Sequence, residues 1–119
     1  SFLLTKKDYL RFIAGKKKVG RVDGQFVIPK KDMDNLLKKS NGDIAQIEKA
    51  LGIPEGNWQD KGGLVRVDIP NPEDYNLRLP TANMSGANEK FELGGKTSGG
   101  IPEGVIDQVP KINVIITKL

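Results

Sequence analysis

The 119-residue sequence predicts an α+β fold in which short N-terminal helices precede a small, mostly antiparallel, twisted sheet. Three observations carry that expectation. In the first half of the chain, apolar residues recur at helical spacing: Tyr9, Phe12 and Ile13; Met33, Leu36 and Leu37; Ile44, Ile47 and Leu51. In the run Leu64-Val65-Arg66-Val67-Asp68-Ile69, apolar and charged residues alternate, which is the period of a strand with one face buried. Finally, the helical patterns come first and the strand patterns follow, instead of interleaving as they do in an α/β fold.

Each element follows from local signals. Thr5-Lys6-Lys7-Asp8 has the form of a capping box, and Gly15 is a natural stop, so a helix is expected from about Lys6 to Ala14. Lys16, Lys17 and Lys18 then read as a basic linker. Asp23-Gly24 signals a turn, and the β-prone Gln25 to Ile28 ends at Pro29. Lys31 to Lys39 reads as a helix broken by Asn41-Gly42. A further helix opens at Asp43 and closes at Gly52, which makes a compact pair of helices. Trp58, the single tryptophan, is expected at the edge of the core. After the strand at Leu64 to Ile69, Pro70, Pro72 and Pro80 impose an irregular stretch. Within it, Asn71 to Tyr75 is one helical turn and Leu77 to Leu79 is extended. Val105-Ile106 and the β-branched Asn113 to Thr117 complete the strands. The length fits one domain over 1–119, with 1–19 as helix and basic linker and 20–119 as the core.

Composition removes several chemistries. With no cysteine there is neither a disulfide nor a thiolate metal site, and with no histidine there is neither a Ser-His-Asp triad nor an ordinary zinc site. The acidic pairs Asp32/Asp34 and Glu73/Asp74 come without a third ligand at useful spacing, so no metal is expected. No apolar run approaches the ~18 residues of a spanning helix, and Phe2-Leu3-Leu4 is too short for a signal-peptide core. The chain does not open on Met and is expected to be a piece of a longer protein. Charge is uneven: residues 1–50 carry twelve Lys/Arg against six Asp/Glu, and residues 51–119 carry seven against nine. The basic half is suited to RNA, an acidic protein or a phosphorylated ligand.

The segment with the most unusual composition is Gly94-Gly95-Lys96-Thr97-Ser98-Gly99-Gly100, followed by Pro102 and Glu103. Paired glycines let a ligand approach the main chain closely, and exposed amides in such loops bind anions. Gly95-Lys96-Thr97 supplies the end of a Walker A motif, but Lys90 stands where its first glycine belongs. The Rossmann glycine pattern is also missing. What remains is either a bulged strand or a loop with chemistry in it. In the second case Lys96 neutralises a phosphate, Thr97 and Ser98 offer hydroxyls, and Glu103 stabilises a developing cation or acts as a base. Arg21 can grip a pyrophosphate with its fork of donors, and Phe26 can stack on a planar ring. Arg66 and Arg78 are further candidates for anion binding.

The stretch from Gly86 to Glu103 and the segment Gly20-Arg21-Val22-Asp23-Gly24-Gln25-Phe26-Val27 resemble the C-terminal toxin modules of bacterial polymorphic and contact-dependent growth inhibition toxins. Within that class the layout is similar to the tuberculosis necrotizing toxin family of NAD glycohydrolases, which are ADP-ribosyltransferase-like. Arg21, the Gly24-Gln25-Phe26 strand, the Leu64 to Pro70 strand, Phe91 and the glycines Gly94, Gly95, Gly99 and Gly100 stand in the family's order over about residues 20–107. The family's glutamine-aromatic pair after its glycines is missing, and Ser98-Gly99 and Glu103 stand nearby instead.

The resemblance implies a single toxin-like domain with NAD as its substrate. Arg21 would hold the pyrophosphate, Phe26 would line the nicotinamide site, and Glu103 with Thr97 and Ser98 would serve the chemistry. It further implies a dedicated immunity protein, acidic to suit the basic half, and delivery as part of a larger secreted or cell-surface protein into a target-cell cytoplasm. Two other readings stay open. One is a metal-independent toxin ribonuclease acting on tRNA or other RNA through Lys96, Thr97 and Arg66. The other is a non-enzymatic module that uses the glycine loop as a protein-docking strand.

Overall fold

A computed structural model describes residues 1–79 and 101–119. The fold is α+β with small antiparallel sheets. The first element is a strand, β1 (Phe2–Thr5), followed by helix α1 (Lys6–Phe12), β2 (Lys18–Val19) and β3 (Gln25–Val27). The helical pair α2 (Lys30–Ser40) and α3 (Ile44–Leu51) comes next, then β4 (Leu64–Asp68), β5 (Gly104–Ile106), β6 (Val109–Pro110) and β7 (Ile115–Lys118). Single 3₁₀ turns cover Pro72–Tyr75 and Lys111–Asn113.

The helix boundaries follow their caps. Thr5 Oγ1 accepts the Asp8 amide at 3.2 Å and opens α1, as the capping-box pattern predicts. Asp43 Oδ1 accepts the Ala45 amide at 3.0 Å and opens α3. Asn41 (φ 47°) ends α2 and Gly52 (φ 73°) ends α3, both in the left-handed conformation that closes helices. Helix α1 stops at Phe12, two residues before the expected Ala14. Just past its end, Lys111 Nζ, from the far end of the chain, donates to Ala14 O at 2.8 Å. A cation at a helix C-terminus also complements the helix dipole.

The β1-β4-β7 sheet sits between two apolar layers. Strand β4 is its middle, antiparallel to both neighbours, with Phe2 opposite Val67 and Leu4 opposite Val65. On that face Phe2 and Val67 join Ile13, Val19, Val27, Ile69, Ile106 and Val109 in one core cluster. On the other face Leu3 and Leu64 join Ile28, Met33, Leu36 and Ile47 in a second. Arg66 and Asp68 share this second face. The sequence alternation suggests an open face here, but the helical pair covers it and the Arg66 side chain is only 11% exposed.

The first nineteen residues, expected as helix and linker, therefore contribute Phe2, Leu3, Ile13 and Val19 to the core. Phe12, expected on the inner face of its helix, is 55% exposed, with the Arg11 guanidinium 5.0 Å from its ring centre.

Two ribbons complete the structure. In one, β2 pairs β6, with Val19 opposite Val109. In the other, β3 pairs β5, with Gln25 opposite Ile106, Phe26 opposite Val105 and Val27 opposite Gly104. The outer side of β5 pairs again, because Val105 and Arg78 exchange both backbone hydrogen bonds, at 2.8 and 2.9 Å. Leu77 to Leu79 is extended there, as expected. The strands approach closely here: a Cβ added at Gly104 would lie 2.9 Å from Leu77 Cδ1, the tip of an exposed side chain that would have to shift. Beyond β3, Ile28 and Ser1 exchange backbone bonds at 2.8 Å each way, which ties the ribbon to β1.

Candidate functional site

The β3-β5 ribbon forms part of the wall of a cavity of about 1190 Å³. Phe26 and Val105 stand opposite each other on one face of the ribbon, and Glu103 lies just before β5. Val105 directs both its backbone groups at Arg78, so the Phe26–Val105 pair is a non-hydrogen-bonded one, in which side chains stand closest. Arg21, Phe26 and Glu103 all line the cavity, although Arg21 and Glu103 are far apart in sequence.

The cavity has two chemically different ends. Strand β3 begins beside Gly20, where an added Cβ would come within 3.2 Å of Gln25 Cβ. At that end the lining includes Lys16, Lys17, Lys18 and Arg21. The strand leads to Ile28 and the second core cluster. Here the lining is Leu3, Ile28, Met33, Leu51, Ile53 and Trp58. Phe26 and Glu103 line the cavity as well.

Arg21 Nε lies 3.9 Å from Asp23 Oδ1, and about half of each side chain is exposed. Gly20, with φ +104°, turns the chain into Arg21, and its carbonyl accepts Gln108 Nε2 at 3.1 Å. Glu103 is half-buried, and this burial raises its carboxyl from the ordinary 4.5 to about 7. A carboxyl poised near neutrality inside a cavity can carry or release a proton, or oppose a positive charge, under ordinary conditions.

The other candidates are placed differently. Arg66 Nη2 lies 2.6 Å from Asp34 Oδ1, and its Nε meets the two Asp68 oxygens at 3.1 and 3.0 Å. Arg66 therefore bridges β4 to α2, and it does not line the cavity. The Arg66 and Lys30 hydrogen bonds hold the Asp34 carboxyl below its ordinary range. Arg78 Nη1 bonds Asp107 at 3.0 Å and the Asn76 carbonyl at 2.8 Å, and it does not line the cavity either. Phe91, Gly94, Gly95, Lys96, Thr97, Ser98, Gly99 and Gly100 lie outside the described residues.

Sequence reasoning did not place Trp58, Phe12 or Lys16 to Lys18 at this site. The three lysines carried a signal, because they sit next to Arg21. Trp58 carried none, because nothing in its spacing distinguishes a cavity wall from a core edge. Its neighbour Glu48, in α3, is 1% exposed and accepts the Trp58 amide at 2.7 Å, the Gly56 amide at 3.2 Å and Gln59 Nε2 at 3.2 Å. Among the described residues no three carboxylates gather as a metal site, and no helix is long and apolar enough to cross a membrane.

No family model, no curated protein and no solved structure matches the chain.

Proposed function

We propose that this domain is a toxin module that consumes NAD. The reading rests above all on one observation: Arg21, Phe26 and Glu103 line one cavity with a cationic end and an apolar end. In this scheme the pyrophosphate lies toward Arg21 and Lys16 to Lys18. The nicotinamide ring lies beside Phe26, toward the apolar end. The Glu103 carboxylate opposes the charge that builds on the ribose as the N-glycosidic bond breaks and nicotinamide leaves with the bonding pair. Water adds to the oxocarbenium-like carbon and releases one proton, giving ADP-ribose. If a protein side chain adds instead, the product is an ADP-ribosylated target. Electrostatic stabilisation of the ribosyl cation is the main source of rate.

The same reading includes an acidic immunity protein to meet the basic rim. It also includes delivery within a larger secreted or cell-surface protein, and action in the cytoplasm of the target cell. Incubation of the domain with NAD, followed by measurement of free nicotinamide, tests the chemistry. NAD left intact at high protein concentration overturns it. The ribonuclease reading draws on the same lysines but loses Arg66, which is taken up by Asp34 and Asp68. Cleavage of tRNA in a parallel incubation would favour it. Inactivity in both, with harmless expression, would favour a binding module.

A further inference from the structure

We propose that Trp58, held in place by Glu48, is a wall of the pocket for the leaving ring and selects a ligand whose ring is planar and positively charged. The inference rests on the NAD reading above and adds to it a residue outside the site proposed so far.

Among the described residues, four aromatics line the cavity: Phe2, Phe12, Phe26 and Trp58. Phe2 is 6% exposed and belongs to the core. Phe12 stands under the Arg11 guanidinium, so its ring face already meets a cation. Trp58 lines the same cavity from the loop after α3. Trp58 lies at the apolar end, partly buried against the cluster of Leu3, Ile28 and Met33.

Trp58 sits on a loop, where an aromatic wall would ordinarily lose freedom on binding. Glu48 removes much of that loss in advance. Its buried carboxylate takes two loop amides and the Gln59 side chain, so the backbone under Trp58 is already fixed. A buried carboxylate is a costly way to hold a loop, and here the loop it holds carries a cavity residue. Indole is the strongest of the aromatic faces for a cation. The oxidised nicotinamide ring is a planar cation, and the adenine ring is neutral. A wall of this kind therefore favours nicotinamide-bearing ligands over their adenine-bearing counterparts.

The single tryptophan makes the test direct, because all indole fluorescence comes from Trp58. Binding of NAD, nicotinamide mononucleotide and ADP-ribose is measured by equilibrium dialysis, and Trp58 emission is followed in parallel. NAD and nicotinamide mononucleotide are expected to quench Trp58, and ADP-ribose to bind without quenching. Trp58→Leu is expected to weaken NAD and nicotinamide mononucleotide about tenfold and to leave ADP-ribose within about twofold. Trp58→Tyr is expected to recover most of that loss, and Glu48→Gln to reproduce part of it. A merely structural role for Trp58 would weaken all three ligands alike. NAD bound with Trp58 emission unchanged, or equal losses for all three ligands in Trp58→Leu, overturns the inference and leaves the NAD reading standing. No binding of NAD overturns both. The wild-type fluorescence measurement needs no variant, so a poorly folded Trp58→Leu does not decide the outcome.

Discussion

Arg66 Nη2 meets Asp34 Oδ1 at 2.6 Å, joining the middle strand of the main sheet to the helix that covers it. On the other side of the guanidinium, Nε lies within 3.1 Å of both Asp68 oxygens. Removing the arginine would leave Asp68, whose side chain is 15% exposed, with only the Ser1 hydroxyl and amino group beside it. Stranding a charge in that way costs about 3–5 kcal/mol when burial is complete, and about 2–3 kcal/mol is expected here for Arg66→Ala. Asp34→Ala should cost much less, because Asp34 is half exposed and Arg66 keeps Asp68. Urea denaturation compares the two. NAD affinity should stay near wild type in both variants, and a specific loss of affinity in Arg66→Ala would return that residue to the binding site.

Glu103 makes stability depend on pH. Burial raises its folded-state carboxyl to about 7, and unfolding returns it to 4.5. Between those values the folded chain holds the proton that the unfolded chain has lost. The stabilising contribution is therefore complete below pH 4.5 and is lost as pH rises through about 7. Glu103→Gln keeps the shape and removes the charge, so it should be more stable than wild type at pH 8 and equal to it near pH 4. Reduced for the exposed part of the side chain, the gain is on the order of 1 kcal/mol, or about 3 °C in melting temperature. Thermal melts at the two pH values check this. A difference that is the same at both would show that charge is not the cause.

The elements that could be read from the sequence are those whose signals are local. The Thr5 cap, the Asn41 and Gly52 stops and the alternation from Leu64 to Asp68 all depend on neighbours within a few residues. Strand β1 was not legible. Phe2 to Thr5 spans four residues and takes its identity from pairing with Leu64 to Val67, some sixty positions away. The second face of that sheet was hidden for a similar reason. Arg66 and Asp68 look solvated until Asp34 is brought over them by the turn at Pro29. At the site, Arg21, Phe26 and Glu103 stood out by residue type, but only the pairing of β3 with β5 brings Phe26 and Glu103, far apart in sequence, to one cavity. Glu48 could not be found from sequence, because it looks like any helix glutamate until its loop partners are known.

Gly20 holds the cationic end of the cavity in shape. Its φ of +104° suits glycine, and an added Cβ would also press Gln25 Cβ at 3.2 Å. Gly20→Ala should destabilise the fold by about 1–2 kcal/mol through backbone strain. It should also turn Arg21 away from the lining and weaken ligands that carry a pyrophosphate. Gly15→Ala is the control, since nothing lies within 4 Å of its added Cβ and its backbone is not in the left-handed region. Melting temperatures and ADP-ribose binding measured for both variants check this. Equal behaviour of the two would mean that Gly20 has no special part in the site.

If Glu103 opposes the ribosyl cation, only its ionised form is useful. That form becomes dominant above pH about 7, so kcat/KM for NAD should rise as pH climbs through about 7 and then level off. Glu103→Gln should lose activity by about 10²-fold or more at pH 8, and its residual rate should no longer rise through that range. The retained shape of glutamine should keep NAD binding within a few-fold, so the loss falls on kcat and not on KM. The opposite slope, with activity falling as pH rises through about 7, would mean that Glu103 works as a proton donor. In that case the group assisting departure of the ring would be an acid, and the positive charge on the ribose would need a different partner. Steady-state rates from pH 5 to 9 for wild type and Glu103→Gln separate the two roles.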